Sequence, residues 1–282
     1  MKRGNIVKKR LGVALGGGGV LGFGHIRVLE LLDELELRPS VIAGSSIGAV
    51  IGALYASGIS GRGIRELAEE YSVQRGDALK DVMKKLPSLL KWLRVFIPER
   101  RRGGLISIDR FLASALEPIE GVTFKSLEVP LVVVATDFWT AEEVVMEEGG
   151  VATAVRASMA IPGVFTPVST GGRVLVDGDL VNQVPYDHVS GRCDITLAVA
   201  VSGERHAGEN RIPRVPDAVF GALDIMQTVA LERRLASSEP HVLFRARMQG
   251  ISMLDFSKIG EVLDQMEREI ERLRSRLSDI RF

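Results

Sequence analysis

Leu11-Gly12-Val13-Ala14-Leu15-Gly16-Gly17-Gly18-Gly19-Val20-Leu21-Gly22 is the stretch on which the fold turns. Leu11 to Leu15 has the make-up of a short buried strand, and the glycines end it abruptly. A helix is predicted from about Gly24 to Leu35, because Ile26, Leu29, Leu32 and Leu35 share one face, widened by Val28 and Leu31. Pro39 breaks it. Val41-Ile42-Ala43 is a second strand, followed by Gly44-Ser45-Ser46-Ile47-Gly48 and a helix of small residues from Ile47 to Ala56. Strand, loop, helix, strand, turn, helix predicts an α/β fold with a parallel sheet and right-handed crossovers.

Further along, Leu131 to Thr136 is the clearest buried strand, and Glu143 to Met146 is placed to pair with it across a turn. Helices are predicted at Ser107 to Leu116, Val151 to Ser158 and Pro216 to Leu235. Strands are predicted at Arg173 to Val176, Ile195 to Val201 and His241 to Phe244. One domain over residues 1–282 is expected, with its core at about 11–201, a helical and basic insertion at about 60–104, and a C-terminal helical region at about 216–282. In the last region Ile259, Leu263, Met266, Ile270, Leu273, Leu277 and Ile280 form a heptad seam. Such a seam serves either packing on its own domain or a homo-oligomer contact.

The chain is 46% hydrophobic and 26% charged, and its net charge is +0. That balance fits a packed globular core and provides no global field for nucleic acid, so no nucleic-acid partner is expected. The single cysteine, Cys193, excludes an intrachain disulfide and is compatible with a reducing compartment. The basic start, Met1 to Arg10, precedes an apolar run too short for a secretory signal, so a cytoplasmic location is expected. Between Lys84 and Arg102, seven basic residues and one acid accompany Trp92 and Phe96. This composition suits an interfacial helix at the inner membrane face, a lid, or a cap helix on its own domain.

Gly44-Ser45-Ser46-Ile47-Gly48 between strand and helix has the form of a nucleophile elbow, with Ser46 central and Gly44 and Gly48 flanking it. Acyl transfer also needs donors for an oxyanion, and the amides of the Gly17 to Gly22 loop are placed to supply them. The same loop fits the dinucleotide fingerprint, but the acidic residue that should end the second strand is absent, which argues against that reading. The histidines are His25, His188, His206 and His241. Asp177 with His188 or His241 would give the α/β-hydrolase order, although that fold has several strands before its elbow. The histidines are scattered and form no ligand pair at metal spacing, so neither metal nor cofactor is expected.

Taken together, the glycine loop Gly17 to Gly22, the elbow Gly44 to Gly48, the stretch Ala154 to Gly163 and Val176-Asp177-Gly178-Asp179-Leu180-Val181-Asn182 resemble the patatin-like phospholipases, especially the compact bacterial members. The resemblance implies a three-layer α/β/α fold with a mainly parallel central sheet. It also implies a Ser–Asp dyad without histidine, with Ser46 as nucleophile and Asp177 as base. Gly17, Gly18, Gly19 and Gly22 carry over as oxyanion-hole and substrate-binding positions, and Gly178 as the motif glycine after Asp177. A lipid or fatty-acyl ester would be the substrate. Two positions depart from the family pattern: Leu21 stands where Arg or Lys is usual, and Asp179 where Gly or Ala is usual. A regulatory scaffold without catalysis, or acyl transfer to an acceptor other than water, are the alternatives.

Overall fold

The computed structural model describes residues 9–70, 104–204, 212–213, 215–253 and 255–280. The predicted strand–helix alternation forms as β1 (Leu11–Leu15), α1 (His25–Glu34), β2 (Val41–Ser45) and α2 (Ile47–Ala56). A 3-10 turn over Gly19–Gly24 joins the glycine loop to α1. Residues 61–70 are helical (α3). Then come β3 (Gly104–Ile106), α4 (Ile108–Leu116), β4 (Leu131–Asp137), β5 (Glu143–Met146) and α5 (Val151–Ser158). The chain continues with β6 (Gly163–Phe165), β7 (Val168–Thr170), β8 (Arg173–Asp177), β9 (Ile195–Gly203), α6 (Val215–Ser237), β10 (Val242–Met248) and α7 (Ile259–Ser278).

The main sheet has the order β10-β9-β1-β2-β4-β8-β7, with β5 also paired to β4. Its centre, β10 to β4, is parallel throughout. The β4–β5, β4–β8 and β7–β8 pairings are antiparallel, so the sheet is mixed at the Asp177 end.

Alternation along β1 sorts the two faces. Leu11, Val13 and Leu15 join the larger core with residues of α1, α2, α4 and α7. Ala14 faces a smaller cluster with Val184, Tyr186, Val189, Leu231 and Leu235, where α6 and the chain before β9 close the other side. Helix α2 is buried along its whole length, in keeping with its run of small apolar residues.

The heptad seam of α7 resolves into intramolecular packing. Ile259, Leu263, Met266, Ile270, Leu273 and Leu277 are buried, and α7 lies on α1, β10 and the Gly19–Gly24 turn. The seam's apolar face is used within the domain, which is the first of the two readings of the heptad pattern. Among the described residues no helix is long and apolar enough to cross a membrane. The Lys84–Arg102 segment lies outside the described residues.

Candidate active site

Strand register brings the two distant motifs together. Ser45 at the end of β2 is level with Val134 of β4, and Asp177 at the end of β8 is level with Ala135 of β4. Ser46 and Asp177 therefore flank one central strand, although 131 residues separate them. The Ser46 hydroxyl donates to Asp177 Oδ2 at 2.7 Å. The opposite carboxylate oxygen, Oδ1, accepts the Asp179 N–H at 2.9 Å. Both side chains are buried, Ser46 at 2% exposure and Asp177 at 3%.

The backbone at Ser46 is strained, with φ 51 and ψ −125. A non-glycine residue with positive φ is uncommon and is held only by its surroundings. Here the holding group is Ser158 of α5, whose hydroxyl accepts the Ser46 N–H at 2.8 Å and donates to Val134 O at 2.6 Å. A Cβ on Gly48 would stand 2.2 Å from Leu15 O, so only glycine lets α2 start this close to β1. Gly22, Gly44 and Gly178 are close-approach positions too, against Ile47, the start of α2 and Val134 O respectively.

The glycine loop lies beside the elbow, because Leu15 pairs with Gly44. Gly18 and Gly19 have φ of 137 and 59, which L side chains rarely adopt. Gly17, expected among the amide donors, instead donates its N–H to Gln183 O, and Gly16 donates to Val199 O. The Gly18 and Gly19 amides have no backbone carbonyl partner among the described residues, and the Gly18 amide faces the Asp179 carboxyl. Leu21 is buried in the core. Arg27, close to it in sequence, is tied to Glu30 and Glu267 and does not replace the missing cation.

Burial pushes the Asp177 carboxyl up, to about 7, against the lowering effect of the Asp179 N–H and the Ser46 hydroxyl. The histidines serve elsewhere. His25 Nε2–H donates to Gly16 O at 2.6 Å beneath the glycine loop, and burial lowers its pKa to about 4, so it is neutral. His188 pairs with Glu143, and His241 accepts the Thr196 N–H. Among the described residues no histidine bonds Ser46 or Asp177, and the order Asp177 with His188 or His241 is not what the geometry joins; His206 lies outside the described residues. The expected scatter of histidines needs one correction, because Glu143, Asp187 and His188 bring potential ligand atoms within 4.8 Å of one another. Arg234 and the Asn182 amide already engage both carboxylates, and the cluster is an ion-pair network that secures the chain after Asp177.

Ser46 and Asp177 face a pocket bounded by Gly19, Ile161, Leu180, Phe220, Leu223 and Met253, largely apolar walls. Ser158, Thr136 and His25 are supporting residues that sequence reasoning did not assign. Thr136 donates its hydroxyl to Asp177 O at 2.8 Å, which fixes the end of β8. Ser158 stood inside a quoted motif, but nothing local announced that its hydroxyl reaches the elbow.

The sequence model described as patatin-like phospholipase matches residues 13–189, more than half of the chain. An uncharacterized NTE family protein of Mycobacterium tuberculosis is 32% identical over 195 residues, covering 69% of this chain and 49% of that protein. Mouse patatin-like phospholipase domain-containing protein 6 is 28% identical over 179 residues, covering 63% of this chain and 12% of that protein. The chain thus spans about half the length of the mycobacterial relative. Among solved structures, VipD from Legionella pneumophila aligns with a TM-score of 0.46 and 15% identity, covering 94% of this chain and 67% of that one. The match of the family model to residues 13–189, with its motifs in order, shows that the chain belongs to the patatin-like phospholipase family.

Proposed function

We propose that the protein is a serine lipid acyl hydrolase that cleaves fatty-acyl esters through Ser46 and Asp177. The observation that carries this reading is the 2.7 Å hydrogen bond from Ser46 Oγ to a buried carboxylate. Asp177 takes the hydroxyl proton as Ser46 Oγ attacks the ester carbonyl. Burial makes that carboxylate a stronger base than an exposed aspartate, which suits proton transfer near neutral pH. The tetrahedral oxyanion is received by the Gly18 and Gly19 amides. Collapse expels the alcohol, which leaves with the proton from Asp177. Water, deprotonated by the same carboxylate, then attacks the acyl-Ser46 ester; the acyl–Oγ bond breaks, Asp177 returns the proton to Ser46 Oγ, and the fatty acid is released.

The apolar walls of the pocket suit an acyl chain, and the buried, cation-free Leu21 side chain leaves the loop without the usual basic contact for a headgroup phosphate. Peripheral contact with a cytoplasmic membrane face through Lys84–Arg102 belongs to the same proposal. The test is fatty-acid release from p-nitrophenyl butyrate, a lysophospholipid and a diacyl phospholipid. Wild type is expected to release acid from at least one, and Ser46→Ala to be slower by at least about a thousandfold. Equal rates for the two proteins would overturn the reading.

A further inference from the structure

The carboxyl of Asp179, two residues past Asp177, folds back onto the glycine loop. It is 5% exposed, and a Cβ built on Gly17 would fall 1.7 Å from its Oδ2. Gly17 has no need of positive φ, so its lack of a side chain is explained by the space this carboxyl takes. The Gln183 carbonyl, four residues on, holds the Gly17 N–H. One segment thus grips the loop twice while also carrying Asp177.

We propose that Asp179 is a positioning residue for ester cleavage, acting as a neutral acid that braces the Gly17–Gly19 loop against the turn bearing the base. This rests on the Ser46–Asp177 reading.

The surroundings favour the neutral form. No Lys, Arg or His nitrogen lies within ion-pair distance of Asp179 among the described residues, and Asp177 shares its turn. Two buried carboxylates this close do not both ionise readily. The groups against it are the Gly18 amide and the Ser45 hydroxyl, whose attraction is outweighed by burial first and the Asp177 charge second, so its pKa is raised. Asp179 Oδ1 and Ser45 Oγ are both buried without a well-formed hydrogen bond. Arg234 of α6 binds Asp187 and Glu143, Arg156 of α5 binds Asp109 and Glu120, and Asp137 of β4 faces Arg173. Gln227, on the pocket wall, is uncharged. His25, at the far end of the loop, is neutral.

The consequence is electrostatic. A neutral carboxyl holds the Gly18 amide only weakly and leaves it and the Gly19 amide available to negative charge, whereas an ionised one packed on the loop binds the Gly18 amide and opposes that charge. Hydrolysis by wild type should then fall at alkaline pH as Asp179 ionises.

The test compares wild type, Asp179→Asn, Asp179→Ala and Ser46→Ala in kcat and KM for p-nitrophenyl butyrate over a pH series. Asp179→Ala is expected to lose at least tenfold in kcat. Asp179→Asn, which mimics the neutral acid, is expected to recover most of that loss and to abolish the alkaline fall. The proposal is overturned if Asp179→Asn is as impaired as Asp179→Ala, if Asp179→Ala matches wild type, or if the alkaline limb is unchanged in Asp179→Asn. Should Asp179→Ala not fold, the pH profile of Asp179→Asn still decides. If Ser46→Ala hydrolyses like wild type, the underlying dyad reading has failed instead.

Discussion

The Ser158 hydroxyl bridges Val134 O and the Ser46 N–H, and so holds the strained turn from which Ser46 reaches Asp177. This contact joins three elements that are far apart in sequence, and it makes the elbow a tertiary construction.

Ser158→Ala removes that bridge and leaves the buried Ser46 N–H unpaired, at a cost of about 1–3 kcal/mol. Urea denaturation should show the loss. Hydrolysis should fall at the same time, because the Ser46 backbone is free to relax from its positive φ. A Ser158→Ala protein with unchanged midpoint and unchanged rate would show that the bridge holds nothing.

His25 ties stability to acid. Its folded pKa lies near 4 against 6.5 when unfolded, so the unfolded chain binds the extra proton. The stabilisation is complete above about pH 6.5 and is lost as pH falls towards 4, a change of about 3 kcal/mol. His25→Leu should flatten this part of the stability–pH curve, and it should be less stable at pH 8 because Gly16 O loses its donor. An equal acid slope in both proteins would exclude His25 as its source.

Asp177 works in the opposite sense. Its folded pKa is raised, so it favours folding most below its unfolded pKa, and that contribution fades as pH climbs towards 7. Asp177→Asn is therefore expected to raise Tm at pH 8 by several degrees while removing activity. A lower Tm at pH 8 would contradict a carboxylate destabilised by desolvation.

Leu273 tests the use of the C-terminal seam. Leu273→Ala should cost about 2–5 kcal/mol in unfolding experiments, as expected for a buried leucine. The oligomeric state, measured by light scattering, should not change. Dissociation of an oligomer by this substitution would restore the intermolecular reading of the seam.

How much of this was readable beforehand differs by residue. β1, the glycine loop and the elbow announce themselves, because each depends on local composition, apolar runs and glycines; Asp177 is singled out only by the family resemblance, since an Asp-Gly pair by itself equally marks an ordinary turn. The α7 seam was equally plain, but a heptad pattern specifies an apolar face and not which surface covers it; α1 and β10 do. Ser158, the Glu143–His188 pairing and the diversion of the Gly17 amide to Gln183 were hidden, since strand register and side-chain packing set them across tens of residues. The orientation of Asp179 was hidden for the same reason: its sequence neighbours allow it to face either solvent or the loop.

The most direct test is the rate and site of labelling by a fluorophosphonate, followed by intact mass and peptide mapping, in wild type, Ser46→Ala, Asp177→Asn, His188→Gln and His241→Gln. The Ser46–Asp177 account predicts one adduct on Ser46, none in Ser46→Ala, labelling slowed at least about a hundredfold in Asp177→Asn, and near-wild-type rates in both histidine variants. An adduct on another residue, undiminished labelling in Asp177→Asn, or loss of labelling in a histidine variant that remains folded would contradict it.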